Sequence, residues 1–169
     1  MTRGARTTQR MLAIDPTPRG FGFVVLEGPN RLVDWGVKDV RTNKEAATLK
    51  KVHELIGLYR PDVLVTEDCD DRSSRRGPRV QALIRKLQAE AARLNVKSRP
   101  VSIWRAHAAF AITGKANKYR IAEAICGRFP ELALRRPRLR KPWMSEDERQ
   151  AVFDAVTFGL TQLVHLRGS

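Results

Sequence analysis

Apolar residues fall along the chain in a pattern that predicts strands first and helices later. Residues 11–14 form a short apolar run that ends at Asp15, and Pro16-Thr17-Pro18-Arg19-Gly20 then predicts a turn. Residues 21–26 predict a second strand, Gly28-Pro29-Asn30 a hairpin-like turn, and residues 32–40 a third strand. The opening therefore reads as an antiparallel meander. Residues 46–58 have helical spacing, with Leu49, Val52, His53 and Ile56 as the main stripe. Gly57 weakens the end of that helix, and Pro61 stops any continuation. Residues 63–66 are short and strongly apolar, better suited to the centre of a sheet than to its edge. Residues 80–94 predict a helix lined by Leu83, Leu87 and Ala91, and residues 96–103 a strand that Pro100 breaks or confines to an edge. Residues 118–129 predict another helix, carrying Ile121, Ala124 and Ile125. A connector rich in proline and arginine spans 130–142, and a long final helix spans 145–166. This order predicts an α/β fold whose mixed sheet is covered by helices on both faces.

Size and composition narrow the class. A chain of 169 residues suits one domain, read here as residues 10–169 behind a flexible basic lead-in of residues 1–9. With 42% apolar and 30% charged residues, the chain can bury a core and is not a disordered polyelectrolyte. Lys plus Arg number 32 against 18 Asp plus Glu, a net charge of +14 that makes a polyanion the expected partner. Nucleic acid is favoured over an anionic membrane, because no basic amphipathic anchor with a strong apolar face is present. Cys69 and Cys126 lack the paired spacing of a zinc site or redox motif and read as reduced thiols of a cytosolic protein. There is no apolar leader core and no apolar stretch of about 18 residues, so the expected location is cytoplasmic, without a membrane partner.

Against this basic background a few acidic residues stand out. Asp15 ends the first strand, where it reads either as a turn former before proline or as a functional carboxylate. Glu67 ends the apolar strand, where a carboxylate is costly unless water, a partner or a metal satisfies it. Asp68, Asp70 and Asp71 beside it also fit a solvated acidic loop, and strand alternation turns Asp68 away from Glu67. On the final helix, Ser145 and Glu148 form a capping box. Asp147 and Asp154 share a face two turns apart, and Asp154 sits in the apolar run AVFDAVTFGL. Strand-end and helix carboxylates converging on one pocket could bridge two metal ions about 4 Å apart, which activate a water and stabilise the leaving oxygen. Hard oxygen ligands favour Mg²⁺ or Mn²⁺ over zinc, and the three histidines are not spaced as a zinc set. Candidate phosphate contacts are Arg72, Arg75, Arg76 and Arg79 after Glu67, Lys115 and Lys118 at a glycine turn, and Arg135, Arg136, Arg138, Arg140 and Lys141 in the connector. Trp104 and Trp143 read either as base-stacking residues or as core or hinge packing.

The order of these features resembles the RuvC-type Holliday junction resolvases, within the ribonuclease H-like nuclease superfamily. LAIDPTPRGFGFVVL is similar to the family's opening strand, aspartate and hairpin; PDVLVTEDC to its glutamate strand; and DAVTFGLTQL to the end of its catalytic helix. VSIWRAHAAFAITGKANKYRIAEAI resembles the strand, short helix and Gly/Lys turn that precede another helix. The resemblance implies a ribonuclease H-like fold with a mixed five-stranded sheet, and a catalytic site of Asp15, Glu67 and Asp154 with Asp147 as a provisional fourth ligand. It also implies one pair of Mg²⁺ or Mn²⁺ ions, in-line hydrolysis of DNA phosphodiesters, phosphate contacts from Lys115 or Lys118, and a homodimer that cuts four-way junctions symmetrically. One side of the helix over 80–94 is a possible dimer face.

Several positions depart from the family pattern. Thr17 replaces the usual glycine after Asp-Pro, Ala151 stands where a second helix aspartate is common, and the loop after Glu67 carries charge instead of an apolar wedge. Competing expectations are a related nuclease for structured RNA or other branched DNA, and a catalytically inactive nucleic-acid-binding relative. An actin-like phosphotransferase domain shares the strand-hairpin opening, but the glycine-rich phosphate loops of a nucleotide cleft are missing.

Overall fold

A computed structural model describes residues 8–110, 118–135 and 149–167. A meander of β1 (Arg10–Thr17), β2 (Gly20–Glu27) and β3 (Arg31–Asp39) opens the chain. β4 (Val63–Glu67) and β5 (Lys97–Val101) add parallel to β1, giving a mixed five-stranded sheet in the order β3-β2-β1-β4-β5. β4 is an interior strand between β1 and β5 and is wholly buried, whereas β5, which holds Pro100, is an edge. Both placements match the apolar run and the proline rule.

Strand alternation divides the core. Leu12, Ile14, Phe23, Val25 and Leu64 face α1 (Lys44–Tyr59) and α2 (Pro78–Arg93). Met11, Ala13, Val24, Leu26, Val63 and Val65 face the other layer: α3 (Ile103–Phe110), α4 (Lys118–Arg128) and α5 (Gln150–Arg167). A 3₁₀ turn over Pro130–Arg135 follows α4.

The structure corrects several sequence expectations. β1 continues through Asp15, Pro16 and Thr17, because these residues pair with Gly22, Phe21 and Gly20 of β2, and the turn is reduced to Pro18-Arg19. His53 is exposed and bonds Glu90 Oε1 at 2.8 Å; the buried stripe of α1 is Thr48, Val52, Leu55 and Ile56. In α2 the buried set is Ile84, Leu87 and Ala91, with Leu83 only partly covered. The expected strand over 96–103 ends at Val101, where Ser102 caps α3 by accepting a bond from the Arg105 amide at 3.4 Å. The expected start of the last helix at Ser145 lies outside the described residues.

α5 is seated against the sheet by two glycines. A Cβ on Gly22 of β2 would stand 2.6 Å from the Ala151 Cβ, and one on Gly159 would stand 3.0 Å from Leu26 Cδ1. Gly22→Ala is therefore expected to push the helix off the sheet at a cost of about 1–3 kcal/mol. Thermal denaturation should show this as a fall in Tm of roughly 3–10 °C. An unchanged Tm would mean that the helix is not held at this point.

Candidate active site

Asp15 and Glu67 meet through register. β1 and β4 are parallel, with Met11 opposite Val63 and Ala13 opposite Val65, so two residues further along Asp15 and Glu67 fall side by side. Their parity is that of Met11, Ala13, Val63 and Val65, which puts both on the α5 face. Both are buried, at 3% and 2% exposure, at the C-terminal ends of adjacent strands. Asp15 also pairs with Gly22, and Gly22 is the residue against which Ala151 packs. Asp154, one helical turn beyond Ala151, is thereby brought over the same strand ends. The neighbouring acids are used elsewhere: Asp68 accepts from the Asp70 amide at 3.0 Å, Asp71 from the Ser73 amide at 2.9 Å, and Asp70 pairs with Arg85 at 3.2 Å.

Cations from two directions hold the three carboxylates. Arg76 pairs with Asp15, lies 3.4 Å from Glu67 Oε2 through Nε, and donates to the Pro16 carbonyl at 2.9 Å. Lys118 Nζ is 3.1 Å from Asp154 Oδ2. Neutral donors complete the set: Ser74 Oγ donates to Glu67 at 2.7 Å and Gln150 Nε2 to Asp154 Oδ1 at 3.0 Å. Burial, reinforced by the charge of Asp154, pushes the Asp15 carboxyl up to about 7, although Arg76 and Lys118 pull the other way. A cleft of about 900 Å³ opens over these groups. Arg19, Arg75, Trp104, His107 and Phe158 are among its lining residues.

No family model and no curated protein sequence matches the chain. Solved structures do. A RuvC structure from Thermus thermophilus superposes with a TM-score of 0.66 at 19% identity, covering 94% of this chain and 96% of that one. The yeast mitochondrial Holliday junction resolvase Ydc2 gives 0.57 at 17% identity, over 95% of this chain and 82% of that one. The Fowlpox virus resolvase, solved with Holliday junction DNA, gives 0.51 at 14% identity, over 93% and 98%. The chain shares the fold of these structures. That fold is the ribonuclease H-like architecture expected from the order of strands and helices, and at these identities the likeness is one of fold.

Within this fold, the expected residues separate into groups. Asp15, Glu67, Asp154, Arg76 and Lys118 come together at the strand ends. Arg72, Arg75 and Arg79 are exposed, with Arg75 on the cleft wall, and Arg135 closes the 3₁₀ turn. Lys115, Arg136, Arg138, Arg140, Lys141, Trp143, Asp147 and Glu148 lie outside the described residues. Sequence reasoning missed Gln150 and Ser74. Gln150 was legible as the i−4 neighbour of Asp154 on a helix, whereas Ser74 reaches Glu67 only through the path of its loop. Ala151 is buried and packs closely against Gly22, and it also lines the cleft.

Among the described residues, no three acidic, histidine or cysteine side chains converge as a ready metal site. The donor chemistry nevertheless suits a hard cation. All three candidate ligands are carboxylates, and Asp15 is driven toward its neutral form by burial and the like charge of Asp154. Arg76 and Lys118 supply the positive charge that such a cluster requires.

Proposed function

We propose that the chain is a Mg²⁺- or Mn²⁺-dependent endonuclease that cleaves DNA phosphodiesters, with four-way junctions as its substrate. The observation that carries this reading is the placement of Asp15 and Glu67 side by side at the ends of β1 and β4, facing Asp154 across a cleft. A net charge of +14 and exposed arginines on the cleft side supply the attraction for a polyanion. Asp15, Glu67 and Asp154 would hold the metal, with Asp147 as a further ligand. Bound metal supplies an activated water and stabilises charge on the leaving oxygen. Gln150 and Ser74 orient the Asp154 and Glu67 carboxylates, and Lys118 and Arg75 contact substrate phosphates. Arg72, Arg79 and the arginine-rich connector extend the phosphate track. A homodimer would place two such sites for matched cuts.

The test is a panel of labelled four-way junctions, flaps, duplexes and RNA hairpins, incubated with Mg²⁺ or Mn²⁺. Paired symmetric cuts confined to the junction are expected. Preferential cutting of RNA or flaps would replace the substrate assignment with the related-nuclease reading. The pairing of Arg76 with two of the carboxylates favours one second reading, a binding protein without catalysis. Tight junction binding with no cleavage in either metal would select it.

A further inference from the structure

Trp104 is 68% exposed, although tryptophan is among the most buried residues on average. It lines the same cleft as Asp15, Glu67 and Asp154. Its station is fixed from two sides. Ser102 caps the first turn of α3, and Ala106 on the same helix is fully buried in the core. The Trp104 amide donates to Ser73 Oγ at 3.3 Å, and Ser73 in turn bonds Asp71, so the helix start is tied to the loop that follows Glu67. That loop, residues 68–77, contains no aromatic residue. Arg75 from the loop shares the cleft wall with the indole. Among the described residues, the other Phe, Tyr or Trp lining the cleft is Phe158, which is buried, so its ring is not presented to a ligand; the half-buried His107 imidazole offers a smaller face.

An exposed indole that lines the same cleft as an arginine and the three carboxylates is suited to an unpaired nucleobase. The ring offers a flat apolar face to any base, while the guanidinium takes the adjoining phosphate. A paired base, stacked inside a duplex, presents no free face to it. We propose that Trp104 is a base-stacking residue that selects substrates carrying an unpaired or unstacked nucleotide next to the scissile phosphate. This rests on the nuclease reading above and assigns the substrate feature that its cleft reads.

The full chain would be tested as wild type, Trp104→Ala and Trp104→Phe in EDTA, so that binding is read without cleavage. The probes are a four-way junction with 2-aminopurine at the crossover, a single-stranded oligonucleotide and a matched duplex. Trp104→Ala should weaken junction and single-strand binding by roughly tenfold or more, leave duplex binding within about twofold, and abolish quenching of 2-aminopurine. Trp104→Phe should retain most of both. Because the side chain projects into the cleft, Tm should be unchanged. Equal loss on all three probes, or none on any, with Tm preserved, would overturn the stacking role while leaving the nuclease reading intact. A wild type that binds none of the probes would overturn both.

Discussion

Asp15→Asn and Asp154→Asn are each expected to abolish Mg²⁺-dependent cleavage while leaving junction binding in place. Loss of even an outer partner of a metal ligand costs about 10–100-fold, so removal of a direct carboxylate should exceed a hundredfold. Gel cleavage beside filter binding separates the two effects. Retained cleavage in both variants would mean that the site is misassigned.

The Asp15 substitution also predicts an effect on stability, with a definite sign. The folded-state carboxyl titrates at about 7 against an ordinary value of 3.8. Between those values the folded protein holds a proton that the unfolded chain has lost. The contribution of Asp15 is therefore fully favourable below about pH 4, is lost as pH rises through 7, and stays absent above. The groups facing it, Asp154, Arg76 and Lys118, set how far the shift extends. In EDTA the wild type should lose Tm between pH 5 and pH 8, and Asp15→Asn should show a shallower slope. Metal binding must displace that proton, so apparent affinity for Mg²⁺ should fall by about tenfold per pH unit below 7. Thermal melts with and without Mg²⁺ at pH 5 and pH 8 check both statements.

Arg76→Met is the second large effect. Arg76 is the principal countercharge of Asp15 and Glu67, both nearly inaccessible to water. Removing one partner of a buried ion pair costs about 3–5 kcal/mol, because it strands the other charge. For a domain of this size the metal-free Tm should fall by roughly 6–20 °C at pH 8. The fall should be smaller at pH 5, where Asp15 can take up a proton. A divalent cation that binds the carboxylates would replace the lost charge, so Mg²⁺ should restore more Tm to Arg76→Met than it adds to the wild type. If Mg²⁺ gives both proteins the same increment, Arg76 and the metal do not compete for these oxygens.

Much of the fold was legible because it is encoded locally. The apolar run before Glu67 marked an interior strand, Pro100 marked an edge, and the turn chemistry near Gly28 closed a hairpin. Asp154 was conspicuous as a charge inside an apolar helix. The boundaries were less secure where pairing overrode local preference. Asp15-Pro16-Thr17 reads as a turn in isolation, yet it continues the strand because β2 offers it a complete ladder. The charged stretch after Glu67 was the least legible. Arg76 and Arg75 are adjacent and chemically identical, but one turns onto the carboxylates and the other stays exposed.

The amino-acid sequence by itself determined the order of elements, the basic surface and the three candidate carboxylates, since periodicity, charge and burial cost are properties of short segments. The tertiary structure alone decided which acids meet and what meets them. Parallel pairing of β1 with β4 sets Asp15 beside Glu67 across 52 positions of chain. The bare surface of Gly22 lets α5 bring Asp154 to the same place. The loop's path delivers Arg76 and Ser74 to oxygens whose burial makes a countercharge necessary. Each depends on contacts between residues far apart in sequence, whose register no local pattern specifies.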